Sequence, residues 1–512
     1  MFGRAPALVS AHTLSRDYIR WARILAVAAV LAAVGARLVV TRPDLLRGLL
    51  AAALALLLVA LCFRTPRVGV LATLTFLPFL AFTRRLLIED AGWPSNDPLL
   101  LVGPIVVFAL VIRLFVMEGR PLAPDRLSKL ILALVVIATI QVFNPAGLGL
   151  TTGVTGLMFV LGPLLWFFVG RELADDALVR RLLVVLVVSA AAIAVYGLLQ
   201  SESGLPFWDT QWLEVTSGEG YTSLEVDDAL RPWGTFSSSL EYALWLGAAL
   251  TVAVALALHR SAYLLLALPV IAAAVFVSGT RAALLGALFG IAVIIGLRTR
   301  RGGASLVTVV LGVAIIVGGL AVLGPRLQEA AGQGGNDLVQ RQVGGATDPF
   351  SEQSTLGLHW ELLVDGVTDG FTQPLGSGTG TTGRAFGKAE QPSSSDQGGS
   401  EVKPTTEVDL SDMFRSFGLV GGLIYLLIIL GVCVAVVRAY GRGHVLALAI
   451  AGVLICTFGQ WMTGGHYALG PLTWLLVGWL TARASSERER EPEPEEAAVV
   501  LGPSQGPAQA RA

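Results

Sequence analysis

Apolar runs of roughly 20 residues recur along the chain from about residue 22 to residue 482, separated by short polar stretches. A helix needs about 20 apolar residues to cross the hydrocarbon core of a bilayer. The runs predict fourteen spans, at 22–40, 45–63, 68–83, 98–117, 127–143, 153–170, 178–199, 239–258, 262–278, 281–297, 305–323, 416–438, 444–462 and 467–482. A membrane β-barrel would alternate polar and apolar over segments of about ten residues, and that pattern is absent. The expected fold is therefore all-α and polytopic, with about 12–14 spans. The third, fifth and last runs are short, so one of them is expected to be re-entrant or tilted. One polar insertion, 324–415, breaks the pattern between apolar residues 306–323 and 417–437.

Composition agrees with this reading. The chain has 512 residues, 54% hydrophobic and 14% charged, with mean hydropathy +0.70. Soluble domains carry about 25% charged residues. The net charge of -1 argues against nucleic acid as a partner. Cys62, Cys433 and Cys456 all sit inside apolar runs, which suits small core residues and implies neither a disulfide framework nor a metal site. Arg16, Arg20 and Arg23 before an alanine-rich run ending Val34-Gly35-Ala36 resemble a signal peptide. The many further spans favour an uncleaved first helix.

Lysine and arginine set the expected orientation. With the N-terminus in the cytoplasm, the short inside segments hold nineteen of them and the short outside segments seven. This gives a map: 1–21, cytoplasmic N-terminus; 22–323, transmembrane helices with an outside loop at 200–238; 324–415, large extracytoplasmic loop; 416–482, last transmembrane helices; 483–512, disordered cytoplasmic tail. The tail reading rests on mixed charge and proline in Ser-Glu-Arg-Glu-Arg-Glu-Pro-Glu-Pro-Glu-Glu.

The candidate chemistry lies on the outside. Arg281 follows Ser278-Gly279-Thr280 in a tight turn and opens a span, where a cation opposes the helix dipole. Two readings stand: an anion site built from the turn amides and the guanidinium, or an arginine snorkelling to the interface. Arg231, before another span, either joins Arg281 in a diphosphate clamp or pairs with Asp227 or Asp228. Trp208, Trp212 and Trp233 lie in an acidic loop and read as an interfacial aromatic belt in preference to a sugar-stacking surface. Glu407, Asp409 and Asp412 lead into a span, where acids and Ser411 also serve as caps. A functional carboxylate there would act as general base on a hydroxyl. His359 and His466 are rival bases, though each is a lone histidine and reads first as an ordinary loop residue. The run 373–380, Gln-Pro-Leu-Gly-Ser-Gly-Thr-Gly, reads as a flexible backbone loop after a helical stretch at 359–367. No Gly-Lys-Ser/Thr follows it, so it is not a nucleotide loop. No metal-ligand cluster is visible, so chemistry here is expected to need neither metal nor cofactor.

These pieces together resemble the O-antigen ligase and polymerase superfamily of bacterial membrane glycosyltransferases. Arg231-Pro-Trp-Gly-Thr-Phe, Ser278-Gly-Thr-Arg281-Ala-Ala-Leu-Leu-Gly and Pro374-Leu-Gly-Ser-Gly-Thr-Gly380 after Trp360 carry the likeness, in this order and over roughly residues 150–480. The resemblance implies a GT-C-type helical fold in the bacterial plasma (inner) membrane. It implies a polyprenyl-diphosphate-linked glycan donor and a glycan, lipid or wall acceptor. Arg231 and Arg281 would hold the diphosphate, with Trp233, Trp360, Gly376 and Gly378 also lining substrate. The family's ligase histidine is replaced by Glu407, followed by Val408, ahead of Gly418-Leu-Val-Gly421. Glu407 is then the expected base, and polymerisation is favoured over ligation. A polytopic transporter or lipid-linked oligosaccharide flippase is the alternative; a non-catalytic membrane scaffold, in which the two arginines point apart, is the third reading.

Overall fold

The computed structural model describes residues 45–94, 96–122, 125–216, 225–226, 229–259, 261–298, 355–382, 408–441, 443–462 and 467–485. The expected spans at 22–40 and 305–323 and the C-terminal tail lie outside these residues. The described elements are α1 (Leu46–Arg64), α2 (Pro66–Leu86), α3 (Pro98–Met117), α4 (Arg126–Phe143), α5 (Leu150–Leu173), α6 (Asp176–Glu202) and the short α7 (Phe207–Thr216). A two-residue antiparallel pair follows, β1 (Glu225–Val226) with β2 (Ala229–Leu230). Then come α8 (Ser239–Ala257), α9 (Ala262–Val277), α10 (Arg281–Arg298), α11 (Thr355–Thr372), α12 (Asp409–Gly441), α13 (Leu446–Cys456) and α14 (Leu469–Ser485).

Among the described residues, nine helices are long and apolar enough to cross a membrane: α1–α6, α8, α10 and α12. The chain is thus a multi-pass helical membrane protein. The third and fifth predicted spans are full-length, at 21 and 18 residues. The last has 17 residues, and the shortest expected span among the described residues is the thirteenth, at 444–462. Its helix α13 has only 11 residues, about 16 Å at 1.5 Å per residue against a hydrocarbon core of about 30 Å. It stops because Thr457–Gln460 turn instead, with Gly459 at φ 81°. Non-spanning backbone at membrane depth survives only when enclosed by protein, and α13 is buried over most of its length.

The centre of the bundle is α8, whose apolar window is 83% buried. Small residues let its neighbours close in. A Cβ added at Gly247 of α8 would lie 2.7 Å from Cys456 Sγ and 3.1 Å from the Ala283 carbonyl. A Cβ at Gly290 of α10 would lie 3.0 Å from Thr251 of α8. These contacts advance together along both helices, so α8 and α10 run parallel with their N-termini at one end. The pair α5 and α14 shows the same device: Cβ atoms at Gly170 and Gly478 would come within 2.0 Å of the Leu475 and Phe167 carbonyls. Close backbone approach through small residues is how helices associate in lipid, where hydrophobicity gives no preference for protein over acyl chain.

Candidate functional site: paired arginines at one end of the bundle

The segment that carries Arg231 is fixed by buried polar groups, several of which the sequence does not announce. Gln200, at the end of α6, accepts from Trp233 N (3.3 Å) and Gly234 N (2.8 Å) and donates to Asp209 (2.7 Å). Arg85, at the end of α2, donates to the Gly234 carbonyl (2.6 Å) and pairs with Asp209 (3.2 Å). Thr235 donates to the Pro78 carbonyl (2.8 Å), within a 3-10 turn that interrupts α2. Gly234 has φ 54°, and a Cβ there would lie 2.8 Å from Tyr242 and 2.9 Å from Ile193. Only glycine fits both the conformation and the space.

Held this way, Arg231 reaches the turn ahead of α10. Its Nε donates to the Ser278 carbonyl (2.9 Å) and its Nη2 to Thr280 Oγ1 (2.6 Å). The turn is shaped by Gly279 at φ 66° and by Ser278 Oγ, which accepts from Thr280 N (3.2 Å) and donates to the Val275 carbonyl (2.6 Å). Arg281 is the first residue of α10 and is half-buried. The structure therefore joins Arg231 to the turn that launches Arg281, although 50 residues separate them. Asp227 and Asp228, the other expected partners of Arg231, lie outside the described residues.

Glu241 completes this end and was missed. It sits in the first turn of α8, is 1% exposed, and its carboxylate accepts from Ala468 N at 3.2 Å, one residue before α14. Its own N–H donates to Ser238 Oγ (3.1 Å), as at other serine-capped helices. A lone acid inside an apolar run was the available signal, since such residues are costly in a membrane and tend to be functional. The N-termini of α8, α10 and α14 thus meet at one end, and each contributes a positive dipole end and N–H groups lacking intrahelical partners. Arg231 and Arg281 stand at this end, together with the buried Glu241 carboxylate that accepts from Ala468 N.

The remaining expected residues fall in three places. Gly376 and Gly378, at φ 73° and 102°, belong to a loop wedged between α12 and the end of α4. Ser377 N and Gly378 N donate to the Arg415 and Ser416 carbonyls (2.9 and 3.0 Å), and Thr379 Oγ1 to the Ala138 carbonyl (2.6 Å). The expected flexible loop is in fact pinned. It seats where α12 kinks at Gly418, whose φ of 66° and ψ of -164° break the helix. Leu419 N, freed by that break, donates to the Pro374 carbonyl (3.2 Å). Trp233 is fully buried against Trp212, with ring centroids 5.3 Å apart. It has no open face for a sugar, and neither Trp212 nor Trp233 sits in an interfacial belt. Their rings enclose the Arg85 guanidinium, at 5.4 and 5.9 Å. Trp360 lies apart on α11 and is 65% exposed.

Glu407 and His466 lie outside the described residues. Asp409, two positions on, is 1% exposed and serves the turn after α13: it accepts from Met462 N (2.9 Å), Trp461 N and the Tyr425 hydroxyl (3.0 Å). That role goes beyond the helix cap expected of it. His359 is half-buried on α11. Among the described residues no cluster of three or more His, Cys, Asp or Glu side chains could hold a metal.

A cavity of about 350 Å³ opens beside this end, between α3, α5 and the start of α14. Its wall is mainly apolar, with Met158, Phe159, Trp166 and Trp461, and Asn96 and Asp97 add a polar patch. Tyr467, also in the wall, precedes Ala468, whose N–H holds Glu241. The cavity wall thus adjoins the residue that binds Glu241. Compared with known proteins, the chain matches no family, no curated protein and no solved structure.

Proposed function

We propose that the protein is a glycosyltransferase of the O-antigen ligase and polymerase type, working at the outer face of a bacterial plasma membrane. Its donor is a glycan linked to a polyprenyl diphosphate, and its product is a lengthened cell-surface polysaccharide. The observation that supports this most is the bond pair from Arg231 to Ser278 and Thr280, which sets two cations beside three helix N-termini. An acceptor hydroxyl attacks the anomeric carbon as the bond to the diphosphate breaks, inverting that centre. The leaving polyprenyl diphosphate keeps the electron pair, and its growing charge is met by Arg281, Arg231 and the helix ends. The hydroxyl proton passes to a carboxylate, assigned to Glu407 from the sequence pattern. No metal is required for charge neutralisation when two guanidiniums share it. The adjoining apolar cavity suits a hydrophobic portion of donor or acceptor.

Purified protein in lipid, given lipid-linked repeat units, should form polymer. Arg281→Ala should abolish polymer and leave the lipid-linked units accumulated. Wild-type polymer levels in that variant would defeat the proposal.

A further inference from the structure

We infer that α11 lies in the membrane surface at the site end of the bundle, with one edge dipped into the lipid headgroup region. The observation is a three-way division of its circumference. One face packs on the first arm of α12: a Cβ at Gly366 would lie 2.0 Å from Ser411 Oγ and one at Gly370 2.6 Å from Phe414, while Asp369 pairs with Arg415 at 2.9 Å. These contacts pair increasing residue numbers on both sides, so α11 runs parallel to that arm. The arm precedes the break at Gly418, so neither piece continues the axis of the lower, lipid-facing part of α12.

The other two faces are open. At 100° per residue, Trp360, Val364 and Phe371 fall within about 40° of one another, at 65%, 45% and 62% exposed. Glu361, Asp365 and Thr368 form the adjacent exposed edge. An isolated lid in water would have no reason to keep large apolar side chains along one edge only, whereas an interfacial helix has this pattern and sits about 5–10 Å into the headgroup and acyl boundary.

Continuity names the occupant as lipid. Leu375, 79% exposed, follows α11 in the pinned loop. Its carbonyl accepts from Gln141 at the end of α4 (2.6 Å), beside Ile140 and Phe143, 65% and 74% exposed. The neighbouring Pro374 carbonyl accepts from Leu419, beside Val420 and Leu423 on the open face of α12. The apolar edge of α11 therefore continues the membrane-facing surface of two spanning helices. This inference concerns lipid contact and stands apart from the proposed reaction.

Nitroxide labels on cysteine substitutions test it in phosphatidylcholine nanodiscs. Cys62 and Cys456 are buried, and exposed Cys433 on α12 serves first as an intramembrane reference and is then changed to Ser. In that background, labels at Trp360→Cys and Phe371→Cys should collide more with oxygen than with a water-soluble nickel complex, at a depth shallower than Cys433. Labels at Glu361→Cys and Thr368→Cys should show the inverse ratio. Equal, nickel-dominated collisions on both edges overturn the inference by placing α11 in water. Labels shielded from both reagents on the apolar edge overturn it by showing a protein covering.

Discussion

The two ends of the helical bundle hold similar ion pairs that differ in exposure, although Arg171 with Asp125 at the second end is only 13% and 18% exposed. At the end carrying Arg231 and Arg281, three other arginines are buried: Arg47 and Arg84 share Asp97 at 2.6 and 2.9 Å, and Arg85 meets Asp209, all with side chains no more than 6% exposed. At the opposite end, Arg113 and Arg120 bracket Glu118 at 2.9 and 2.8 Å with side chains 21–34% exposed, and Arg67 meets Asp175 while 62% exposed. Buried pairs lose solvation that their mutual attraction replaces only when the geometry is complete. Exposed pairs hold little energy. Charge at the exposed end therefore adds little to stability, whereas the buried end uses charge as architecture, fixing the loops that carry Gly234 and Asp97.

Breaking the buried end should cost most. Arg85→Ala leaves Asp209 buried without its cation and releases the Gly234 carbonyl. The expected loss is about 3–5 kcal/mol of stability, read as a large drop in thermal midpoint in detergent. A variant within about 1 kcal/mol of wild type would make this end no different from the other.

Next comes the kink that seats the glycine loop. In Gly418→Ala a Cβ would lie 2.1 Å from the Pro374 carbonyl, at a positive φ. Loss of about 1–3 kcal/mol follows from the strain, together with faster proteolysis of the loop. Gly48→Ala, in regular helix where a Cβ meets nothing within 4 Å, is the contrasting change and should be neutral to slightly stabilising.

Arg231→Lys separates charge from geometry. It keeps the charge but cannot reproduce the two bonds to Ser278 and Thr280. Anion affinity at the site should fall by about tenfold, or roughly 1.4 kcal/mol, with little change in midpoint. Full affinity in the lysine variant would show that charge alone suffices.

The smallest effect belongs to the exposed end. Hydrogen bonding from Arg113, aided by Arg120, holds the Glu118 carboxyl below its ordinary range. A lowered carboxylate contributes stability above its unfolded pKa and loses it as pH falls through the folded value. Glu118→Gln should therefore cost under about 1 kcal/mol at neutral pH and nothing once the wild-type carboxyl is protonated. Measured midpoints across acidic pH should converge for the two proteins.

What the sequence made legible follows from range. Runs of apolar residues are local, so the described spans fall near their expected positions, and helical residues 359–367 fall inside α11. Arg231 and Arg281 stood out because each opposes a local preference. The burial of Arg47, Arg84 and Arg85 was not legible: charge counting places arginine at a helix end, and Asp97 lies 50 residues from Arg47. Trp233 misled for the same reason, since only a distant Trp212 and Arg85 turn an apparent belt residue into a buried one. The stop in α13 was hidden because Thr457–Met462 is still largely apolar. Glu241 was legible and overlooked; its single charge was outweighed by the apolar residues around it.

On the proposed function, the buried-charge end binds a diphosphate through Arg231 and Arg281. Calorimetric titration of inorganic pyrophosphate into the purified protein in nanodiscs tests it most directly, with Arg281→Ala and, from the exposed end, Arg113→Ala alongside. The account predicts binding by the wild type and by Arg113→Ala, and loss of at least about tenfold for Arg281→Ala. Equal affinity in all three proteins, or loss in Arg113→Ala alone, would contradict it.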